Sequence, residues 1–524
     1  MKTTPLLLLL AVGAALCLRP ALAASPTDIV PRGSGLYDAL AVLAQDGLLP
    51  PGSPDVNDLL NVQGRLYTRA ELARAVAGSG NENPRSLNDR DRAALAFARS
   101  VLAPELGLKG GEGTSQSSFG ASAVGVVETG GRSDTSSNLK AHGSLYGRGR
   151  LFGTLGRDGA YTVSATNFYT QFRDHASFTT RAGGTAGGDN PGALNGIDEA
   201  YVTALGGHGV RLTAGLLRQR WGAAYRSPLV EGDNAPARPT LQLELPFSLG
   251  RTLGRYTFTQ NESTYRNLGR TIYEGERRLE HPIGDRTTLS LAESYESNQF
   301  NKPLVLVVPY YTFQAHVYPN GIEYQFYKYL ADANLTVRPD GPQGSSRAYL
   351  DFAVGDIKAP AGLGKGNNVP RKIAYTIGYA RVFPQTGTDA VLEFNHTDRA
   401  TFTDVEAELA RFYRDLPQSS PVGPNGNELF LRIGQRIGAR LDIAVEARDR
   451  RRVASDFPAP NARSVDILLG YRLSRAQSLG LRLSDYREDP FTGVTDSPSG
   501  TFGGAANGQR LRRRIIALSF LQSF

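Results

Sequence analysis

The chain of 524 residues has one cysteine, one methionine and one tryptophan. Cys17 lies in an N-terminal stretch that reads as a secretory signal peptide: Lys2, an apolar run up to Leu18, then the small-residue step Ala21-Leu22-Ala23, with cleavage expected after Ala23. Leu16, rather than a small residue, precedes the cysteine, which argues against a lipoprotein anchor. A mature chain of residues 24 to 524 then carries no disulfide and no thiolate metal site. No second apolar run approaches the roughly 20 residues of a transmembrane helix, and the mean hydropathy is -0.29. Membrane crossing by helices is thereby excluded. Histidine is also scarce: His142, His175, His208, His281, His316 and His396 are scattered, with no pair at metal-ligand spacing. No G-x-S-x-G elbow is present. His396 beside Asp398 reads as a hydrogen-bonding histidine, so no enzyme, catalytic residue, metal or cofactor is expected. The net charge of +8 comes largely from arginine, without the dense basic run of a nucleic-acid face, and no nucleic-acid partner is expected.

What is abundant is glycine (59), tyrosine (23) and phenylalanine (22), a composition that suits strands and turns. Residues 24 to 110 depart from it. Leu36, Leu40, Leu43 and Ala44 share a helical stripe ended by Gly47. Thr68 and Glu71 form a capping box for "TRAELARAVAG", and "NDRDRAALAFARSVLAPEL" from Asn88 is a third amphipathic helix. The succession helix, "DGLL", Pro/Gly/Asp loop, "TRAELA" resembles one S-layer homology (SLH) repeat. That resemblance implies a grip on peptidoglycan-linked polymer through Arg69. A plain helical spacer is the alternative.

From Ser115 the apolar period becomes two. In "SVDILLGYRLSRAQSLGLRLSDY", Val465, Ile467, Leu469, Tyr471 and Leu473 alternate with Asp466, Gly470 and Arg472. Leu441, Ile443 and Val445 alternate likewise with Asp442 and Glu446. An apolar face against a small or charged one, repeated in hairpins, is the pattern of a membrane β-barrel with a polar lumen. The final strand places Ile516, Leu518, Phe520 and the terminal Phe524 on one face, and it resembles the insertion signal of outer-membrane barrels. At roughly 23 residues per strand with its share of loop, residues 111 to 524 accommodate about 18 strands. The expected fold class is therefore mainly β: a transmembrane antiparallel barrel, contacting outer-membrane lipid, after a small periplasmic α-helical module. Residues 181 to 196 and 403 to 427 read as long outer loops, the second opening with an amphipathic helix of about three turns.

Trp221 stands in "GLLRQRWGAAYRSPLVEGDNAPARPTLQLELPF". Continuing the strand from Val210 puts it near a strand end. There an indole is either an interfacial girdle residue or a platform for sugar C–H groups, flanked by forked polar side chains. The stretch resembles the central motif of the Wzi-type capsule assembly proteins, at Arg220, Trp221, Gly222, Asn234, Ala235, Arg238 and Pro239, although Pro236-Ala237 interrupts its second half. "RRLEHPIGDRTTLSLAESYES", with Arg278 and Glu293, and "YQFYKYLADANLTV", with Asp332, resemble two further blocks of that family. The resemblance implies an outer-membrane barrel that holds surface or capsular polysaccharide, with Arg218, Arg220, Trp221, Asp233, Asn234, Arg238 and Glu293 as binding residues. The rival reading is a porin that lets solutes diffuse and ties the outer membrane to the wall through Arg69. The lumen separates them, because a porin needs an open bore and a holding protein does not.

Overall fold

In the computed structural model, three helices precede the sheet: α1 (Gly35–Gln45), α2 (Arg69–Gly78) and α3 (Asp89–Val101). The strands then run in order: β1 (Ser117–Arg132), β2 (Asn138–Leu155), β3 (Gly159–Thr170), β4 (Leu194–Leu205), β5 (Arg211–Leu217) and β6 (Arg238–Ser248). They continue with β7 (Arg255–Asn267), β8 (Arg270–Ile283), β9 (Thr287–Ser297), β10 (Tyr327–Val337), β11 (Ser346–Gly355), β12 (Ile373–Phe383) and β13 (Thr388–Thr397). The last are β14 (Phe412–Tyr413), β15 (Leu416–Pro417), β16 (Gly426–Ile437), β17 (Leu441–Arg452), β18 (Ala462–Arg472), β19 (Gln477–Glu488) and β20 (Leu511–Gln522). Outside these elements the structure describes residues 48–49, 67, 79, 87, 102–103, 106, 210, 219, 221–232, 237, 249–250, 284, 286, 338–339, 372, 386–387, 398, 401–402, 419–420, 422–425, 438, 440, 453, 461 and 473–474. The expected signal peptide, Thr68 of the capping box, residues 181–193 of the expected outer loop and Phe524 lie outside the described residues, and the last three residues of that loop, Leu194 to Gly196, belong instead to β4.

Among the described residues, 18 strands form a single sheet in which each strand pairs antiparallel with its chain neighbours. The two-residue strands β14 and β15 pair only with each other, so β13 pairs with β16. β1 pairs with β20 from Ala121↔Gln522 to Arg132↔Leu511, which closes the sheet into a ring without edges. The turns linking β8 to β9, β12 to β13, β16 to β17 and β18 to β19 are short and lie at one end, where β1 also begins and β20 finishes. The longer connections lie at the other.

Alternation sorts the side chains as the period of two requires. Leu212, Ile377, Leu392, Ile433, Val445, Val465, Ile516 and Leu518 face outward, with Ile377 52% and Leu518 57% exposed. Thr213, Thr376, Glu393, Arg432, Asp466 and Ser484 face inward. Apolar outside and polar within is what hydrocarbon surroundings demand of a closed sheet. Among the described residues no helix is long and apolar enough to cross a membrane. Inward charges are paired across strands. Asp466 on β18 accepts from Arg448 on β17 (2.6 Å) and Arg482 on β19 (2.9 Å), and Arg432 bridges Asp389 (3.2 Å) and Glu446 (3.0 Å).

Leu36, Leu40, Leu43 and Ala44 of α1, Leu72 and Val76 of α2, and Leu95 and Ala98 of α3 form one buried cluster. Val382 belongs to the same cluster. It faces inward at the short-turn end of β12, so the helical bundle is seated against that end of the barrel. The guanidinium of Arg69, at the start of α2, donates to the carbonyl oxygen of Val101, a bond that joins α2 to the C-terminal end of α3.

Two features differ from the sequence reading. The strand expected to continue through Trp221 stops at Leu217, and Trp221 forms only an isolated bridge with Glu231. The amphipathic helix expected from residue 403 lies outside the described residues up to position 411, and Phe412–Tyr413, at its expected end, pair as a short strand with Leu416–Pro417.

Tyrosine rings fill the space over glycines on the adjacent strand. Gly275 on β8 lies opposite Tyr295 on β9, and Gly378 on β12 opposite Tyr349 on β11. A Cβ at either glycine would collide with its partner's ring, so these pairs require a hydrogen at one position and an aromatic at the other. Gly275→Ala is expected to destabilise the barrel by about 1–3 kcal/mol, read as a lowered thermal midpoint in detergent. In a Tyr295→Ala background the same substitution should cost far less; equal costs in both backgrounds would disprove the packing pair.

Candidate functional site: a strap held inside the barrel

The connection from β5 to β6 turns inward. Residues 221 to 232 form neither helix nor strand apart from the Trp221↔Glu231 bridge, with backbone bonds of 2.9 Å and 3.3 Å between the two residues. Gly222 has φ 138°, and a Cβ there would meet Pro228 and Asp351. Glycine is therefore required at the point where the chain bends against the wall.

A buried segment outside the sheet must find partners for its backbone polar groups, and the inward side chains of β10 to β13, together with Ser419 between β15 and β16, supply them. The amide of Ala223 donates to Asn334 Oδ1 (2.9 Å), that of Tyr225 to the Tyr349 hydroxyl (3.3 Å) and that of Leu229 to Asp351 Oδ2 (3.4 Å). The amides of Arg226 and Ser227 donate to the two carboxylate oxygens of Glu393 (3.1 Å and 2.9 Å). Donors serve the strap's carbonyls: Arg347 bonds Ala223, Thr376 bonds Ser227 (2.9 Å) and Ser419 bonds Val230 (2.9 Å). Glu393 also accepts from the Tyr349 hydroxyl (2.7 Å), so three donors converge on one carboxylate that is 1% exposed.

Side chains reinforce this grip. Arg226 reaches β16, pairing with Glu428 (2.7 Å) and lying 5.5 Å from the Phe430 ring centroid, while Tyr225 stacks on Phe430 at 5.7 Å. Trp221, Leu229 and Val230 join Ala292, Leu330, Ala353, Ala374 and Phe402 in an apolar cluster inside the polar lumen. Arg238 at the start of β6 pairs with Glu231 (2.9 Å) and with Glu274, closing the base of the strap. Asn261 on β7 donates to Gln219.

Of the residues expected to bind polysaccharide, the structure describes three. Trp221 is 3% exposed, and the guanidinium of Arg278 lies 5.1 Å from its ring centroid. In this conformation the indole is neither a lipid-facing girdle residue nor an open platform; it is a hydrophobic anchor of the strap. Arg238 is buried in the pairs just given. Glu293 is buried with Arg277 (2.9 Å) and the Tyr329 hydroxyl (3.2 Å). Arg218, Arg220, Asp233 and Asn234 lie outside the described residues. Asp332 accepts from Asn334 on the wall beneath the strap. Sequence reasoning missed Glu393, Tyr349, Asn334 and Thr376. The one signal that could have marked them is a carboxylate, a phenol, an amide or a hydroxyl at inward positions of successive strands, and lumen-lining residues in general give the same signal. His396 stacks on Tyr375 (4.9 Å between centroids) and bonds Asn427 (2.6 Å) and Asp398 (3.3 Å), away from the strap contacts.

No sequence-family model matches this chain, and no curated protein matches it in sequence. Solved structures do match. Wzi of Escherichia coli, a carbohydrate-binding outer-membrane β-barrel involved in group 1 capsule assembly, superposes with a TM-score of 0.57 at 12% identity, covering 95% of this chain and 99% of that one. A BenF-like porin of Pseudomonas fluorescens Pf-5 gives 0.46 at 10% identity over 78% of this chain and 99% of its own. OccK5 of Pseudomonas aeruginosa gives 0.44 at 10% over 78% and 98%. The chain thus has a Wzi-like outer-membrane β-barrel fold.

Glu393→Ala is expected to free the strap, because hydrogen bonds to a charged acceptor contribute about 1.5–3 kcal/mol each and the variant removes three. Limited trypsinolysis of the folded barrel should cut after Arg226 at least tenfold faster than in wild type. Glu393→Gln, which keeps an acceptor, should fall between; identical cleavage rates in all three would refute the role of Glu393 as the strap's anchor.

Proposed function

We propose that the protein resides in the outer membrane and retains surface polysaccharide, acting as a holding protein and not as an enzyme. The observation that carries this reading is the strap. A segment bonded to β10, β11, β12, β13 and β16 occupies lumen that a diffusion porin would keep free. The fold shared with a carbohydrate-binding barrel supports the same reading. In this proposal Trp221, Arg238 and Glu293 hold the strap and its base in place. Contact with the glycan falls to Arg218, Arg220, Asp233 and Asn234, which flank the strap in sequence and whose two arginines suit an acidic polymer. The helices belong on the periplasmic side, since outer-membrane barrels carry their short turns there. Arg69 serves there as the tie between α2 and α3, and peptidoglycan-linked polymer is not needed to explain it.

The decisive experiment compares cell-attached with released polysaccharide in a deletion strain complemented by wild type or by Arg220→Ala/Asn234→Ala. Deletion should shed the polymer, wild type should restore attachment, and the double variant should insert at normal levels yet restore less than about a tenth of it, a loss on the scale of two charged or polar contacts. If attachment is unaffected by deletion while solute uptake falls, and the purified barrel conducts in planar bilayers, the porin reading replaces this one.

A further inference from the structure

The outward face changes character abruptly at the long-loop end of β17 to β20. On β18 the outward residues from Val465 to Leu473 are apolar or aromatic. They span about 27 Å along the strand at about 3.4 Å per residue, or about 21 Å after a tilt of about 40°, close to the band of about 25 Å that a bilayer requires. Immediately above stands Arg463, whose side chain is 73% exposed. The neighbours repeat the step. On β17, Val445 gives way to Asp449 and Arg451, the latter 71% exposed. On β19, Leu483 gives way to Asp485 and Arg487, the latter 62% exposed. On β20, Ile516 gives way to an exposed Arg514.

Backbone register makes these residues one continuous row. Asp449 lies opposite Arg463, Arg463 opposite Arg487, Arg487 opposite Arg512, and Asp485 opposite Arg514. The two aspartates are shared out within the row: Asp449 accepts from Arg451 (3.0 Å) and Arg463 (2.9 Å), and Asp485 from Arg487 (3.1 Å). Arg451, Arg463, Arg487 and Arg514 therefore outnumber the acids two to one. Exposed pairs of this kind contribute little stability, and like charges directly opposite, as at Arg463 and Arg487, cost some. Another sector builds the same level differently. On β12 and β13 the outward residues there are Tyr375, Phe394 and His396, whose rings pack together, the usual aromatic girdle. The arginine row thus differs from the β12–β13 sector, lies directly above lipid-facing surface, and presents planar guanidinium donors at headgroup depth.

We propose that this row docks the phosphate-bearing headgroup of an outer-leaflet lipid, seated with its chains against Val445, Val465, Ile467 and Ile516. Guanidinium forks match phosphate oxygens, and an anion bridging Arg463 and Arg487 relieves their repulsion. The inference rests on the outer-membrane placement proposed above and is independent of the polysaccharide reading.

The test uses the full-length barrel in detergent, with diphosphoryl lipid A as probe and its dephosphorylated form as comparison, bound fractions being read by native mass spectrometry. Wild type should prefer the diphosphoryl form at least tenfold and lose that preference as salt is raised. Arg451→Gln/Arg463→Gln/Arg487→Gln should abolish the preference while leaving the thermal midpoint within a few degrees. Asp485→Asn, which removes a competing anion, should strengthen binding, a gain that a merely structural role for the row would not produce. Equal binding of both lipid forms by wild type, or an undiminished preference in the triple variant, would overturn the assignment. So would a triple variant that keeps the lipid and instead loses a soluble acidic polysaccharide.

Discussion

A strand in hydrocarbon has no water to satisfy its backbone, so every N–H and C=O must pair within the protein. The β1–β20 ladder is where that condition is met for the ring as a whole. Once the ring closes, each strand has one face toward lipid and one toward the interior, and a single alternation decides the fate of every side chain. Leucines and isoleucines that a soluble protein would bury are exposed; glutamates, aspartates and arginines are buried. The interior charges are then obliged to find one another across strands, as Asp466 does with Arg448 and Arg482, because an unpaired charge away from water is costly.

The strap follows from the same condition. A segment leaving the ladder at Leu217 and entering the lumen brings unpaired amides and carbonyls with it. It can stay only where the wall presents acceptors and donors at the right spacing. Glu393 supplies two acceptors and is itself oriented by Tyr349, whose ring is seated over Gly378. The glycine–tyrosine packing of the wall and the anchoring of the strap are therefore one mechanical unit. The apolar cluster around Trp221 adds contact area where polar pairs alone would leave gaps.

Superposition with a barrel of only 12% identity is intelligible in these terms. Ring closure and a period of two constrain residue class, not residue identity, so an outer-membrane barrel tolerates near-complete replacement of its sequence. Some positions are tied to one residue type by contact, among them Gly222 at the bend of the strap and the glycines under Tyr295 and Tyr349.

The alternation of Val465 to Leu473 with Asp466 and Gly470, the helical stripe of Leu36, Leu40 and Leu43, and the switch between the two periods are all local patterns. They determine by themselves that helices come first, that strands follow, and which strand faces are apolar. The place of Trp221 was beyond such reasoning. Its neighbours Arg278, Ala292, Leu330 and Ala374 lie 57 to 153 positions away in the chain, and extrapolating the strand past Leu217 put the indole near a strand end, as a girdle residue or an open sugar platform, instead of packed in the lumen. Whether a loop projects into solvent or folds back into the barrel depends on polar partners from strands remote in sequence but adjacent in the ring. No local period encodes that proximity; only the closed sheet creates it.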